Sequence, residues 1–155
     1  MTATPADRRA DAVARALHAR EGTSAAWGVE FVEAGEGRAV CAMTVREEML
    51  NAHGTAHGGA IVVLADTAFG WACNSRNETA VAHHVSVTYV SPAHPGDRLT
   101  ASAVEVARKG RSGVYDVHVT ADDGRTVAVF QGLSRTVGGP VVDGLDTNKT
   151  EGNEP

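Results

Sequence analysis

Cysteine is scarce in this chain: there are two, Cys41 and Cys73, in 155 residues. They stand far apart and form neither a metal-type spacing nor a disulfide framework, which points to a reducing compartment and buried thiols. Long apolar runs are missing as well. The longest, Gly58 to Ala65, falls far short of the ~20 residues that span a bilayer. The first residues, MTATPADRRADAVARA, are polar and charged and lack the apolar centre of a secretory signal. A soluble, cytoplasmic protein is therefore expected. Positive charge is not in excess: the net charge of −5 argues against binding to nucleic acid or an anionic membrane, though a local basic pocket stays compatible with it. No serine stands in a nucleophile-elbow pattern, so a Ser-His-Asp hydrolase has no support.

What remains is an ordinary globular composition, 43% hydrophobic and 21% charged, in a length that fits one domain with a real core. Thr4-Pro5 reads as a helix start, with Pro5 in the first helical position and Asp7 in the first turn. Ala10, Val13, Ala14 and Leu17 form one narrow apolar stripe and Gly22 ends the segment. From Trp27 the period changes to two. Trp27–Glu33 and Arg38–Val45 read as strands joined at Gly35-Glu36-Gly37, followed by a loop from Arg46 to His57. After Asn74 the period of two returns. Val81, His83, Val85, Val87 and Tyr89 are expected on one face, with Ala82, His84, Ser86 and Thr88 on the other. Further strands are expected at Arg98–Arg108, Ser112–Ala121 and Thr126–Val137, separated by KGR and DDGR turns. Beyond Gly138-Gly139-Pro140 the pattern is lost, and DGLDTNKTEGNEP has the composition of a disordered acidic tail.

Gly59 to Cys73 breaks the strand pattern. About fifteen residues without a turn signal is long for a strand, and Ala60, Ala65, Ala68 and Ala72 favour a helix. A helix apolar on nearly all sides has to be surrounded by protein. Five to six antiparallel strands with one long buried helix inserted after the second make an α+β sheet wrapped around a helix. That arrangement is the hotdog fold. The expected boundaries are a short N-terminal amphipathic helix over 1–22, the hotdog domain over 23–139 and the tail over 140–155.

One carboxylate, Asp66, interrupts the apolar helix, and ionised groups are rarely buried without compensation. Gly58 and Gly59 sit where the helix begins. Backbone N–H groups there lack intrahelical partners and carry the positive end of the helix dipole, a setting that stabilises a developing oxyanion. Glycine also lets a ligand approach the backbone. Asp66 then qualifies as general base or nucleophile towards a carbonyl held at that end. Burial raises its pKa while helix N-termini and donors lower it; a base must be ionised, and Asp66 is expected to be so at neutral pH. The competing reading is a structural carboxylate hydrogen-bonded to a strand group, and the sequence weighs the two evenly.

Spacing adds a constraint. Eight residues of helix put Asp66 roughly 12 Å beyond Gly58 along the axis, too far for one carbonyl to touch both. Two antiparallel copies of the helix related by a twofold axis would bring Gly58 of one subunit to Asp66 of the other, so a homodimer with two shared sites is expected.

The other polar residues carry weaker signals. His53 and His57 are four apart, a zinc-like spacing on a helix, but Gly54, Gly58 and Gly59 disfavour a helix through both and no third ligand is suitably placed. No metal is expected; His57 is read as orienting the loop or the carbonyl. Asn51 either holds a water or carbonyl or forms an Asx turn. His83 and His84, adjacent on a strand, face opposite ways, so at most one sees the helix; an ordinary core or interface histidine is the stronger reading of each. Arg108, Lys109 and Arg111 put three positive charges in one hairpin. A solvated turn is the stronger reading, with contact to the phosphates of a nucleotide-like tail as the alternative.

Together, NAHGTAHGGAIVVLADTAFGWACNS, AVAHHVSVTYVSPAHPGDRLTASA, GRSGVYDVHV and TVAVFQGLSR resemble the phenylacetate-degradation thioesterases of the hotdog superfamily. The likeness runs from about Thr23 to Gly139. It implies hydrolysis of an acyl-coenzyme A thioester, with phenylacetyl-CoA and its ring-hydroxylated relatives as substrates and no cofactor, coenzyme A being part of the substrate. It implies Asp66 as catalytic carboxylate, the Gly58 N–H as carbonyl polariser, Asn51 and His57 in support, and a homotetramer built of two dimers. Gly59, His83, His84, Arg108, Lys109 and Arg111 are the further substrate-binding candidates. His83 and His84 stand where relatives carry small or hydroxyl-bearing residues, which implies a reshaped acyl pocket. The alternatives are a non-catalytic acyl-CoA-binding module and, with less support, an acyl-thioester hydratase or dehydratase.

Overall fold

The computed structural model describes residues 2–147. Helix α1 (Pro5–Arg20) opens where the sequence places it: the Thr4 hydroxyl accepts the Asp7 N–H and Pro5 needs no partner for a missing N–H. A second short helix, α2 (Gly22–Trp27), was not anticipated. It closes on Gly28, which adopts φ 67°, the left-handed geometry in which glycine ends a helix. Strand β1 (Glu30–Gly35) therefore starts three residues later than the alternation suggested. Strand β2 (Arg38–Thr44) and a single 3-10 turn over Glu47–Met49 lead to the long helix α3 (Gly58–Asn74). Strands β3 (Ala80–Tyr89), β4 (Arg98–Lys109), β5 (Ser112–Ala121) and β6 (Thr126–Thr136) follow, within a residue or so of their expected bounds.

The six strands form one antiparallel sheet in the order β1-β2-β4-β5-β6-β3, so the connection through α3 carries the chain from one side of the sheet to its far edge. The sheet's inner face closes on α3. Leu64, Ala65, Ala68, Phe69, Trp71 and Ala72 are buried against Met43, Leu99, Val117, Val119 and Phe130. Burial of each large side chain there contributes about 1.5–3 kcal/mol. Where α3 meets β6 the fit is tight: a Cβ built on Gly132 would come within 2.7 Å of the Phe69 ring. This is the hotdog arrangement expected from the pattern of periods.

The faces of β3 differ from the simple alternation. Ala82 pairs with Ser134 but His84 pairs with Leu133, so one extra residue is accommodated between them as a β-bulge. Directly opposed residues share a face. Ala80, Ala82, Val85, Val87 and Tyr89 therefore lie on the inner side with their partners, so Ala82 moves to the inner side and Val81 to the outer, while His84 keeps its expected outer place. His83 is the additional residue, so the expected opposite facing of the two histidines does not follow from a regular pleat.

Part of the expected tail is held in place. Asn77, fully buried and at φ 60°, accepts the backbone N–H groups of Val141 and Val142 and donates to the carbonyls of Val142 and Leu145. Residues 148–155 of that segment lie outside the described residues. No helix among the described residues is long and apolar enough to cross a membrane.

Candidate active site

The N-terminus of α3 leaves one donor over. His57 is the N-cap: its Nδ1 accepts the Gly59 N–H at 2.9 Å, and its carbonyl accepts from Ala60 and Ile61 at 2.9 and 3.4 Å. An acceptor at Nδ1 puts the proton of a neutral imidazole on Nε2. The His57 N–H itself donates to the Met49 carbonyl at 2.7 Å, so His57, Gly59 and Ala60, three of the four N–H groups that a helix start leaves without an intrahelical partner, are satisfied. The fourth, Gly58 N–H, has no acceptor among the described residues. Gly59, offered by sequence as a ligand contact, is instead engaged by the histidine before it.

Gly58 lines a cavity of about 350 Å³ with Asn51, Thr55, Ile61, Tyr89 and Ser91. Within it Asn51 is largely committed to its own loop. Its Oδ1 accepts from His53 N and Thr55 N, and its Nδ2 donates to Thr55 Oγ1. This is the Asx-turn geometry, and it leaves one amide N–H of Asn51 unused. The space above Gly58 is not empty. A Cβ there would meet Tyr89 Oη at 2.6 Å and Cζ at 2.8 Å, so the glycine makes room for this tyrosine. Sequence reasoning missed Tyr89; its only signal was a place at the end of an alternating strand.

Asp66 lies two turns further along α3, outside that cavity. It belongs to the open face of the helix with Gly59, Val62, Gly70 and Cys73, and its side chain is reached by solvent from one side in the single chain. Nothing among the described residues donates a hydrogen bond to it. Its pKa is raised above the ordinary 3.8, first by the low-dielectric protein around it and second by the negative charge of Glu21. The expected lowering by a helix N-terminus or by donors is absent within one chain. Glu21, at the junction of α1 and α2, was not anticipated as a neighbour; its Oε2 accepts from the buried Ser24 hydroxyl at 2.8 Å.

The basic hairpin sits at the other end of α3. Arg108 and Arg111 line a cavity of about 850 Å³ with Arg76, Glu36, Glu78 and Glu105. Arg108 pairs with Glu78 at 2.6 Å, and Arg111 Nε donates to the Thr136 carbonyl at 2.9 Å. Two of the three charges expected to be simply solvated are therefore engaged, while Lys109 ends β4. Arg76 holds Glu105 through two hydrogen bonds of 2.7 and 3.1 Å, and the Tyr115 hydroxyl donates to the same carboxylate.

His83 and His84 stand at the β3 bulge, on the sheet edge. Among the described residues no three His, Cys, Asp or Glu side chains converge as metal ligands would, so His53 and His57 gain no third partner. Cys41 is buried with its thiol donating to the Leu64 carbonyl, and burial pushes Cys73 up to about 12. Thiols so protonated are poor nucleophiles.

Comparison with known proteins agrees with this architecture. The Thioesterase superfamily model matches residues 53–128. The chain is 40% identical over 129 residues to acyl-coenzyme A thioesterase PaaI of Escherichia coli, covering 83% of this chain and 91% of that one. The solved structure of the E. coli PaaI protein, from the phenylacetic acid degradation operon, superposes with a TM-score of 0.85 at 38% identity, over 86% of this chain and 97% of that one. A Streptococcus mutans protein solved with acetyl CoA bound matches with a TM-score of 0.70 at 28% identity, over 72% and 90% of the two chains. The chain belongs to the thioesterase superfamily, the thioester hydrolases built on the hotdog fold.

Proposed function

We propose that this chain hydrolyses aryl-acyl-CoA thioesters, phenylacetyl-CoA and its ring-hydroxylated relatives first among them, to the free acid and coenzyme A. The likeness to the E. coli thioesterase supports acyl-CoA as the substrate class, and its operon supports the aryl preference. The observation that carries the mechanism is the division of labour along α3. One unpaired N–H stands at Gly58, and one carboxylate stands two turns away on a face the chain leaves open.

The site is completed by a second copy. Strand β3 is a sheet edge whose inner side is uncovered: Val85 is 41% and Tyr89 50% exposed although both point towards the helix layer. An unpaired apolar edge of this kind invites pairing with another chain. Joining two copies there about a twofold axis would cover the open face of α3 with its counterpart. Gly58 of one protomer would then face Asp66 of the other. A pair of such dimers would make the tetramer.

In that site the Gly58 N–H donates a hydrogen bond to the carbonyl oxygen and stabilises the negative charge that grows there. Asp66 either takes a proton from water as the water oxygen attacks the carbonyl carbon, or attacks that carbon itself to form an anhydride, which a water then hydrolyses to the free acid and the restored carboxylate. The C–S bond breaks and the thiolate of coenzyme A leaves. His57 locks the helix end that carries the donor, and Asn51 shapes the adjoining loop with one N–H to spare. The hairpin of Arg108, Lys109 and Arg111 is the site for the phosphates of coenzyme A, which would compete with Glu78 for Arg108. No metal or further cofactor enters the reaction.

Thiol release from phenylacetyl-CoA tests the reading, with Asp66→Asn compared at matched oligomeric state. Turnover by the wild type and a loss of two or more orders of magnitude in the variant is the expected result, on the scale of removing an essential base or nucleophile. Binding without turnover on any aryl or alkyl acyl-CoA would instead favour a binding module. An intact thioester with a hydrated acyl chain would favour a hydratase.

A further inference from the structure

Tyr89 has a feature that packing does not explain. Its ring occupies the space over Gly58, with Oη 2.6 Å and Cζ 2.8 Å from where a Cβ would stand. A phenylalanine would fill that space as well. The hydroxyl, by contrast, has no hydrogen-bond partner among the described residues. It projects from the inner side of β3, where Tyr89 pairs with the buried Ala128, and it borders the same 350 Å³ cavity as Gly58.

Two donors without a partner therefore border one cavity. Standard backbone dimensions put the Tyr89 Oη within roughly 5 Å of the Gly58 nitrogen. One oxygen atom at ordinary hydrogen-bond distance from both, about 2.9 Å from the N–H and 2.7 Å from the O–H, fits between donors so spaced. We infer that the Tyr89 hydroxyl is a second hydrogen-bond donor to the thioester carbonyl, acting beside the Gly58 N–H as a catalytic residue. The inference rests on the thioesterase reading given above and adds a residue to it.

The chemistry asks for such a group. As water or Asp66 adds to the carbonyl carbon, the C=O pair moves onto oxygen, and that oxygen becomes a stronger acceptor than in the substrate. A neutral phenol donates to it without giving up its proton, so its bond strengthens in the transition state and the proton balance is unchanged. When the tetrahedral centre collapses, the electron pair returns to C=O, the C–S bond breaks and the thiolate leaves. A donor that gains strength only in the transition state raises kcat rather than lowering KM.

The test is Tyr89→Phe, which keeps the ring over Gly58, assayed beside wild type and Asp66→Asn on phenylacetyl-CoA. The expected result is a kcat lower by roughly 30- to 100-fold with KM within about twofold, near the lower bound for losing one oxyanion donor. Affinity for two non-hydrolysable thioethers gives a readout free of turnover. Phenylacetonyl-CoA keeps the carbonyl and phenylpropyl-CoA lacks it. Tyr89→Phe should weaken only the first, by about twofold, in keeping with its small effect on KM. Unchanged kcat in Tyr89→Phe alongside an inactive Asp66→Asn would overturn the role of Tyr89 and leave the thioesterase reading standing. Equal weakening of both thioethers would also overturn it, since that is lost packing. A wild type that turns over no acyl-CoA overturns both.

Discussion

His57 Nδ1 accepts the N–H of Gly59 at 2.9 Å, and this one bond determines which donor at the start of α3 is left for a ligand. With Ala60 and Ile61 turned back to the His57 carbonyl, Gly58 is the position at this helix start whose N–H has no acceptor among the described residues. A histidine two residues before a glycine thus acts as a helix cap. It leaves an anion-receptive position of one atom rather than a diffuse positive end.

Removing the cap should cost stability before it costs chemistry. His57→Ala is expected to destabilise the fold by about 1 kcal/mol, the usual worth of an N-cap side chain. Chemical denaturation measures this. His57→Asn, which can cap in the same way, should recover most of the loss.

Asp66 should limit activity from the acid side. Burial, then the charge of Glu21, raises its pKa above 3.8, so under the proposed mechanism the ionised form that catalysis needs appears at a higher pH than for an unperturbed aspartate. Glu21→Gln removes the second cause and should move the acid limb of the kcat/KM profile to lower pH. A limb that stays put would show that Glu21 does not act on Asp66.

The same shift has a consequence for stability, with the sign set by the raised folded-state value. The contribution is complete below the unfolded value and is lost as pH rises through the folded one. Above its folded-state value the ionised carboxylate therefore opposes folding. Asp66→Asn should raise Tm there while abolishing activity, and the gain should vanish in acid. Thermal melts at two pH values check this.

Gly132 is a packing constraint. A methyl group there would press on the Phe69 ring, which is 1% exposed and has no room to withdraw. Gly132→Ala is expected to cost about 1–3 kcal/mol, the range for overpacking a core. Equilibrium unfolding of the variant gives the number.

The open edge should fail in a specific way. Val85→Asp puts a charge on the uncovered inner side of β3. It should yield folded monomers by light scattering, with activity lost in step with the dimer. A fully dimeric, active Val85→Asp would move the interface elsewhere.

Much of this was readable in one dimension. Alternation of two located β2, β4, β5 and β6, and KGR and DDGR marked their turns, because strand and turn propensities act between near neighbours. The apolar stretch with its alanines identified α3, and the interval from Gly58 to Asp66 was already a distance along a helix. Other features were invisible because they join residues far apart in sequence. The bulge between Ala82 and His84 depends on the register with β6 and moved Val81 to the outer face. Arg108 meets Glu78 across 30 positions, and Asn77 meets Leu145 across 68. Glu21 lies near Asp66 only because α1 and α2 fold over α3. The sequence alone determined which segments curl, extend and turn, and which residue types could do chemistry. Only the tertiary structure decided that Tyr89 stands over Gly58 and that His57 takes the Gly59 N–H. Those contacts follow from strand register and the packing of layers, which no local pattern encodes.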